Sequence, residues 1–232
     1  MNKGFFITGT DTGVGKTFVA TGLIKALKTR GLVVCPMKPA ETGCRVRQGQ
    51  LFPQDTITLI KASGVDEPID AINPYRMKNP LAPAVAAEKE GIIVKKKVIL
   101  NAYKKLSHNY ELIIAEGAGG IMVPLYKRYL FLDLVSDLDI PLLIIAHPGL
   151  GTINHSLLTL NAARKRGIRI MGLIFNHVKK TITDISIKSN PEVIARIGKV
   201  PVIGIVPHIS RHNKKTEEIF DVIATKVAGR LG

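Results

Sequence analysis

A glycine-rich run near the N-terminus carries the strongest chemical signal in the sequence. Residues 9–17 read GTDTGVGKT; they follow a short apolar run at residues 5–8 and lead into a helix-forming segment. Glycines in such a loop let backbone N–H groups face anionic oxygens, and the N-terminus of the following helix adds a favourable dipole. Lys16 can then reach the β- and γ-phosphates of a nucleotide, and the Thr17 hydroxyl can hold Mg²⁺. The run therefore predicts a phosphate-binding loop.

The spacing within this loop differs from the common pattern. Gly-x-x-x-x-Gly-Lys-Ser/Thr would require glycine at position 10, where the chain has Thr10. The glycine stands one position earlier, at Gly9, so the loop is a longer relative of the usual one. Because an apolar strand precedes it and a helix follows it, we still predict nucleotide binding.

Two acidic residues stand where Mg²⁺ would need carboxylates. Mg²⁺ is usually held by one or two carboxylates together with phosphate oxygens. Glu116 ends the apolar run 112–116 and opens the sequence EGAGG, so it is expected at the ligand side of a parallel sheet. Asp55 heads a predicted helix after the loop 41–54, and taken alone it is better explained as a helix N-cap.

Lys38 is a further candidate for the same crevice. It follows Pro36 and Met37 at the end of a predicted strand, and Pro39 and Gly43 follow it closely. A lysine at the carboxyl end of a parallel strand is directed toward the ligand side of the sheet. Without that context a solvated surface lysine is the simpler interpretation.

Short apolar runs alternate with helical segments along the chain. Strands are predicted at residues 5–8, 32–37, 112–116, 142–146, 170–176 and 202–206. Helices are predicted at residues 16–29, 55–62, 94–106, 152–166 and 216–231, with one more starting at an Asn190 N-cap and Pro191. This order predicts a three-layer α/β fold like that of P-loop NTPases, with a mostly parallel sheet and helices on both faces.

Composition limits the classes of protein to consider. The 232 residues are 46% hydrophobic, which suits one globular domain over residues 1–232. Two cysteines, Cys35 and Cys44, exclude a disulfide framework and suit a reducing cytoplasm. No apolar run approaches the roughly 18 residues of a membrane span. The net charge of +15 suits either an anionic partner (nucleic acid, a phosphate-rich ligand or an anionic membrane surface) or a solvated basic surface. The low aromatic content argues against a surface on which nucleic-acid bases stack.

Taken together, the phosphate-binding loop, Lys38 and Glu116 make the sequence resemble the ATP-dependent dethiobiotin synthetases of biotin biosynthesis. The resemblance rests on residues 8–17, on 38–43 (KPAETG), on 116–125 (EGAGGIMVPL) and on 150–155 (LGTINH). Further agreement comes from Asn73, Pro74, Tyr75 and Asn176. The match covers nearly the whole chain to about Pro207.

The resemblance implies a reaction. The substrate would be 7,8-diaminopelargonic acid, with CO2 and ATP as co-substrates and Mg²⁺ as cofactor. CO2 would add to one amine, the carbamate would attack the γ-phosphate, and the second amine would close the ureido ring with loss of phosphate. The resemblance also implies a cytoplasmic homodimer with the substrate site at its interface, and neither nucleic acid nor membrane as partner.

The resemblance also implies a role for each matched residue. Catalysis would fall to Lys16 and Lys38. Nucleotide contacts would come from Thr12, Gly13, Val14, Gly15, Lys16, Thr17, Asp55, Glu116, Gly117, Ala118, Gly119, Asn176 and Pro207, and ligands of Mg²⁺ from Thr17, Asp55 and Glu116. Substrate contacts would come from Thr42 and, in the partner subunit, from Gly151 and Asn154. Two positions depart from the family pattern, because Gly13 and His177 stand where acidic residues can occur.

Three alternative functions are compatible with the same loop. A partitioning-type ATPase binding DNA or membrane would carry a second lysine five residues before Lys16, where this chain has Asp11. A related ligase that takes ammonia from a glutaminase domain would need a nucleophilic cysteine at a sharp turn. Cys35 lies in a predicted strand and Cys44 in the loop after Lys38, so neither fits that role. A regulator that binds nucleotide without catalysis would not need Lys38 beside an intact phosphate loop.

Overall fold

A computed structural model of the chain describes residues 4–180, 185–210 and 213–231. Within these residues the strands are β1 (Gly4–Gly9), β2 (Val34–Met37), β3 (Arg45–Arg47), β4 (Gln50–Phe52), β5 (Leu112–Gly120), β6 (Pro124–Tyr126), β7 (Tyr129–Leu130), β8 (Leu142–Ala146), β9 (Ile170–Asn176) and β10 (Val202–Val206). Six of them form one sheet in the order β10-β9-β8-β1-β5-β2, and every neighbouring pair in it is parallel. The pairs β3-β4 and β6-β7 are separate antiparallel hairpins.

Helices connect these strands and cover both faces of the sheet. They are α1 (Lys16–Thr29), α2 (Gln54–Ser63), α3 (Ile69–Ile72), α4 (Pro83–Lys89), α5 (Lys96–Asn109), α6 (Phe131–Leu138), α7 (Thr152–Lys165), α8 (Ser186–Gly198) and α9 (Lys214–Ala228). No helix in the described parts of the chain has the length and apolar run that a bilayer crossing requires.

Each face of the sheet has its own apolar core. Side chains of α1, α2 and α9 pack on the face that carries Phe5 and Ile7. Side chains of α5, α6, α7 and α8 pack on the opposite face, around Phe6 and Phe175. Strands covered on both faces need apolar residues at every position, which explains why all five residues of β8 are buried. The predicted three-layer α/β fold is confirmed.

One predicted helix start is wrong. We expected Asn190 to cap a helix with Pro191 at its first position, but α8 begins at Ser186 and contains Pro191 in its interior. The buried Asn190 amide instead donates to the carbonyl oxygens of Pro148 and Gly149, at 2.7 and 3.1 Å. A tertiary hydrogen bond to the loop after β8 has taken the place of a local cap.

A second local expectation also changes. Pro53 occupies the N-cap of α2, and Asp55 lies inside the first turn. Asp55 is therefore not the N-cap, and its carboxylate is free to point elsewhere. At the other end of the site, β5 continues four residues beyond Glu116, to Gly120, which pairs with Gly9.

Candidate active site

The loop between β1 and α1 adopts a conformation that depends on glycine. Gly13 and Gly15 have φ of 77° and 86°, in the left-handed region that residues with a side chain rarely adopt. A Cβ on Gly15 would lie 2.2 Å from Asn176 Nδ2, whereas a Cβ on Gly13 would meet open space. The φ at Gly13 explains why a glycine suits a position where the resemblance allows an acidic residue.

Lys16 begins α1 and is buried beside this loop. Its Nζ donates to the carbonyl oxygen of Asp11 at 3.2 Å, so the side chain folds back along the loop. Burial, together with the positive charge of Lys38, lowers the pKa of Lys16 to about 8. Lys16 makes no ion pair within the described residues, so this desolvated lysine is suited to binding a phosphate, whose negative charge favours the protonated form of the lysine.

Lys38 and Glu116 are brought together by the register of the sheet. Met37 of β2 pairs with Ala115 of β5, so the next residue on each strand emerges at the same level. The Nζ of Lys38 lies 2.5 Å from Oε1 of Glu116 and donates to it, and both side chains are almost fully buried. Because Lys38 and Glu116 follow paired residues of the parallel strands β2 and β5, they form an ion pair although they are 78 positions apart in the sequence.

Two further side chains complete this cluster. Asp55, in the first turn of α2, accepts from Lys38 Nζ through Oδ2 at 3.0 Å. The Thr17 hydroxyl, in the first turn of α1, donates to Glu116 Oε1 at 2.8 Å. Burial alone would lower the pKa of Lys38, but the carboxylates of Glu116 and Asp55 outweigh burial and raise it well above its usual value. Lys38 is therefore a permanent cation at neutral pH.

One atom of the cluster lacks a partner. Glu116 is fully buried, and its Oε2 makes no hydrogen bond within the described structure. A buried carboxylate oxygen without a partner is costly unless a ligand supplies one. No group of three or more His, Cys, Asp or Glu residues in the described chain is arranged for a metal. The oxygens available here, two carboxylates and one hydroxyl, are instead the small, hard donor set that suits Mg²⁺ beside phosphates.

These side chains line a cavity of about 300 Å³ at the carboxyl ends of β1, β2 and β5. Its lining includes the predicted site residues Thr12, Gly13, Gly15, Lys16, Thr17, Lys38, Thr42, Asp55, Glu116, Ala118 and Gly119. Gly117 joins the cluster through its carbonyl oxygen, which accepts from Lys38 Nζ at 3.4 Å. We expected Lys38, Glu116 and the loop at residues 9–17 to converge at the carboxyl ends of the strands, and the cavity is lined by Lys38, Glu116 and five residues of that loop.

Asn176 and Pro207 lie beside the loop rather than in this cavity. Asn176 ends β9 and pairs with Val206 at the end of β10, so Pro207 follows directly at the same edge. The buried Asn176 amide donates from Nδ2 to the carbonyl oxygen of Val14 at 2.9 Å. Val14 itself lines a second cavity of about 350 Å³, together with His147 and His177.

Gly151 and Asn154 do not line the cavity around Lys38. Gly151 is the N-cap of α7, with φ of 84°, and Asn154 lies in the first turn of that helix. Both residues are exposed, and so is the neighbouring Leu150, which is 79% exposed. Both residues are therefore accessible from the surface.

Glu41 is a residue of the site that the sequence did not reveal. It lines the cavity, is 4% exposed, and accepts hydrogen bonds from the first turn of α2. Its position inside the matched run KPAETG was the available signal, but the run alone does not show which partners the carboxylate has.

The fold and this loop-centred site define a P-loop nucleotide-binding protein. A family model described as "AAA domain" matches residues 3–216. Solved structures with the same fold include a chain of the MinC:MinD cell division protein complex from Aquifex aeolicus, at 19% identity and TM-score 0.64, covering 98% of this chain and 96% of that one. A ParA family ATPase from Chlorobium tepidum TLS matches at 16% identity and TM-score 0.58, covering 100% and 97%. At these identities the likeness shows the fold alone.

Sequence relatives are more specific. "ATP-dependent dethiobiotin synthetase BioD" of Thermodesulfovibrio yellowstonii is 40% identical over 221 residues, which is 92% of each chain. The protein of the same name from Methanocaldococcus jannaschii is 37% identical over 96% of this chain and 98% of its own. The chain belongs to the ATP-dependent dethiobiotin synthetase family, whose members are ligases that form carbon–nitrogen bonds in biotin biosynthesis. The partitioning-type alternative is not favoured.

Proposed function

We propose that this chain closes the ureido ring of dethiobiotin from 7,8-diaminopelargonic acid, CO2 and ATP in the cavity around Lys38. The observation that carries the proposal is the buried Lys38 ammonium, held between Glu116 and Asp55 beside the phosphate loop. A reaction in which a carbamate and a phosphoryl group meet needs a fixed cation at that point, because both groups are anionic. The chain acts, in this proposal, as one domain in the cytoplasm.

Nucleotide binding is assigned first to the loop. Backbone N–H groups of Gly13, Val14 and Gly15 face the phosphates in this proposal, and Lys16 neutralises the β- and γ-phosphates. Thr12 is assigned to the same nucleotide site, although its own N–H donates to Oδ1 of Asp11 at 2.6 Å. The burial that lowers the pKa of Lys16 also leaves its ammonium poorly solvated, so phosphate oxygens are favourable partners. Ala118 and Gly119, which line the same cavity, and Gly117, whose carbonyl oxygen accepts from Lys38 Nζ, are assigned to the terminal phosphate.

Mg²⁺ fits the oxygens grouped at Thr17, Asp55 and Glu116. The unpartnered Oε2 of Glu116 supports this assignment, because a bound cation would satisfy that oxygen. Mg²⁺ held there supplies charge neutralisation for the nucleotide phosphates. The Thr17 hydroxyl donates to Glu116, and Lys38 Nζ donates to both Glu116 and Asp55, so hydrogen bonds orient the three oxygen-bearing side chains.

Lys38 acts on the carbamate and on the transferring phosphoryl group. One amine of the substrate attacks CO2 and loses a proton, which gives a carbamate anion. A carbamate oxygen attacks the γ-phosphorus, the bond to ADP breaks, and a carbamic–phosphoric anhydride forms. Lys38, whose raised pKa keeps it protonated, stabilises the charge that these steps bring together.

Ring closure uses the second amine. This amine attacks the carbonyl carbon of the anhydride, the carbon–oxygen bond to phosphate breaks, and the amine loses a proton. Thr42, on the cavity wall next to Lys38, holds the diamine end of the substrate in this proposal. The protein contributes mainly position and charge, as in other phosphoryl transfers.

The carboxylate end of the substrate is assigned to a partner subunit. Gly151 and Asn154 begin α7, and the N-terminus of a helix attracts a carboxylate. These exposed residues do not line the cavity of their own chain, which supports a homodimer in which each α7 completes the site of the other subunit. The exposed side chain of Leu150 beside them is consistent with an interface.

Asn176 and Pro207 are assigned to the adenine ring. They end neighbouring strands beside the phosphate loop, which is where a base attached to loop-bound phosphates has to lie. Asn176 offers a buried amide and Pro207 an exposed ring at the same edge.

Oxygen labelling tests this reaction. With ¹⁸O-labelled bicarbonate in a short incubation, attack by the carbamate oxygen on the γ-phosphorus transfers one labelled oxygen to inorganic phosphate and leaves one in the ureido carbonyl. Mass spectrometry of both products is expected to show this pairing. Labelled dethiobiotin with unlabelled phosphate would exclude the carbamate attack, and absence of dethiobiotin would exclude the function.

A further inference from the structure

Glu41 uses both carboxylate oxygens inside the protein. Its Oε1 accepts from the backbone N–H of Asp55 at 2.9 Å. Its Oε2 accepts from the backbone N–H of Thr56 at 2.9 Å, from the Thr56 hydroxyl at 2.6 Å, and from Asn73 Nδ2 at 3.3 Å. With four donors arranged around it, the buried carboxylate is committed to the start of α2 rather than to a ligand.

The start of α2 needs such a group. Its N-cap is Pro53, which makes no side-chain hydrogen bond to the exposed N–H groups of the first turn. Unpaired N–H groups at a helix start leave a partial positive charge that an anion stabilises. Glu41 supplies both the acceptors and the charge from a segment 14 and 15 residues away in sequence.

Glu41 is itself fixed by neighbouring backbone. Its N–H donates to the carbonyl oxygen of Tyr75 and its own carbonyl accepts from the N–H of Met77, each at 2.9 Å. Asn73, which belongs to the same segment, also donates to the Thr56 hydroxyl at 2.7 Å. The carboxylate thus connects the segment at residues 73–77 to the first turn of α2.

The consequence lies in where Asp55 points. Its backbone N–H is bonded to Glu41 and its carboxylate to Lys38 Nζ, so one residue joins the helix start to the cluster. We propose that Glu41 is a positioning residue, which sets the start of α2 and thereby presents the Asp55 carboxylate to Lys38 and to the divalent cation. This inference rests on the metal role given to Asp55 in the proposed function.

Glu41→Gln tests the inference with little change in shape. A glutamine has one oxygen and one NH2 group, so either the Asp55 or the Thr56 backbone N–H faces a donor and loses its acceptor. Mn²⁺ binding, measured by electron paramagnetic resonance with ADP present, reports the metal site without turnover. Loss of one charge-assisted hydrogen bond in Glu41→Gln is expected to weaken Mn²⁺ binding about tenfold.

Glu90→Gln is the matched control. Glu90 also accepts from backbone and side-chain N–H groups, those of Lys78 and Asn79, but it does not line the cavity. Both variants are expected to lower the melting temperature, and only Glu41→Gln to raise the Mn²⁺ dissociation constant. Equal Mn²⁺ affinity in Glu41→Gln and the unaltered protein overturns the positioning role.

Asp55→Asn separates this inference from the proposed function. Weaker Mn²⁺ binding in Asp55→Asn with unaltered binding in Glu41→Gln overturns the inference alone. Unaltered binding in Asp55→Asn overturns the metal role of Asp55, and the inference with it. Should Glu41→Gln fail to fold, Thr56→Val removes one donor to Oε2 of Glu41 and one of the two acceptors of Asn73 Nδ2. This variant is expected to weaken Mn²⁺ binding severalfold, and no change would contradict the inference.

Discussion

Lys38 and Glu116 form an ion pair at the carboxyl edge of the sheet, with nitrogen and oxygen 2.5 Å apart and the two side chains 3% and 0% exposed. Such a pair is expensive to break, because removing one partner leaves the other charge buried and unpaired. The other carboxylate oxygen of Glu116, Oε2, is buried and has no hydrogen-bond partner among the described residues. We therefore expect the same contact to affect both the stability of the chain and its chemistry.

Replacing Lys38 should remove turnover more than nucleotide binding. In Lys38→Ala we expect kcat to fall by about 100-fold or more, a loss of about 2.7 kcal/mol of transition-state stabilisation. MgATP affinity should survive, because Lys16, Thr17 and Glu116 remain. Lys38→Arg should not rescue turnover fully, because a planar guanidinium does not replace a compact ammonium. Steady-state kinetics with nucleotide titration measures both effects, and near-normal kcat in Lys38→Ala would contradict the catalytic role.

Lys38→Ala should also have a lower unfolding free energy than the unaltered protein. Leaving Glu116 buried without its cation is expected to cost about 3–5 kcal/mol of unfolding free energy. The double variant Lys38→Ala/Glu116→Gln removes the unpaired charge, so it should regain stability without regaining turnover. Urea denaturation of the two variants gives the comparison, and equal stability of both would contradict a buried charge at Glu116.

Gly15 and Gly13 offer a matched pair within the loop. Both have positive φ, which costs a residue with a Cβ about 1–2 kcal/mol. Only at Gly15 would the Cβ also displace the Asn176 amide, which would break its bond to Val14 and add about 1 kcal/mol. We expect Gly15→Ala to lower the unfolding free energy more than Gly13→Ala does, by urea denaturation without nucleotide. Equal losses would mean that Asn176 does not support the loop.

Asn154 tests the shared site. Loss of a charge-assisted hydrogen bond to the substrate carboxylate, worth about 1.5–3 kcal/mol, should raise KM for the diamine acid far more than KM for ATP. Asn161→Ala, another exposed position on α7, is the control and should change neither value. Equal effects of Asn154→Ala on both substrates, or a fully active monomer in sedimentation and activity measurements, would count against a substrate site at a homodimer interface.

Both cysteines should resist thiol reagents in the folded chain. Burial and the charge of Glu67 raise the pKa of Cys35 to about 12, and burial and the charge of Glu41 raise that of Cys44 to about 11. Because the pKa of each thiol is higher in the folded chain than in the unfolded chain, the folded state keeps its full stability below pH of about 8.5, the unfolded pKa. That contribution to the unfolding free energy is lost as the pH rises from there toward the pKa of the folded chain. Ellman's reagent at pH 8 is expected to label neither thiol until guanidinium unfolds the chain. Rapid labelling of the native chain would contradict their burial.

The convergence of the main site residues was predictable because each of them directly follows a strand that the local sequence reveals. The loop at residues 9–17, Lys38 and Glu116 each follow an apolar strand, and parallel strands end at one edge of a sheet. Their convergence on one cavity follows from that rule. Their individual roles in catalysis and binding stay predictions until kinetics tests them.

Features that depend on distant partners were not predictable. Asn190 and Pro191 give a good helix-start signal, yet contacts to Pro148 and Gly149 decide where Asn190 points. The role of Glu41 likewise depends on a distant partner, because its carboxylate accepts hydrogen bonds from the first turn of α2. By contrast, α6 could have been found, because Phe131, Leu134, Val135 and Leu138 follow the spacing of one buried helical face.

Product formation is the most direct test of the account. The purified chain is incubated with 7,8-diaminopelargonic acid, MgATP and ¹³C-bicarbonate, and dethiobiotin, ADP and phosphate are quantified by mass spectrometry and coupled assay, with Lys38→Ala in parallel. The account predicts ¹³C in the ureido carbon, one ADP and one phosphate for each dethiobiotin, and at least about 100-fold slower formation by the variant. ATP hydrolysis without dethiobiotin, or equal rates in the two proteins, would contradict it.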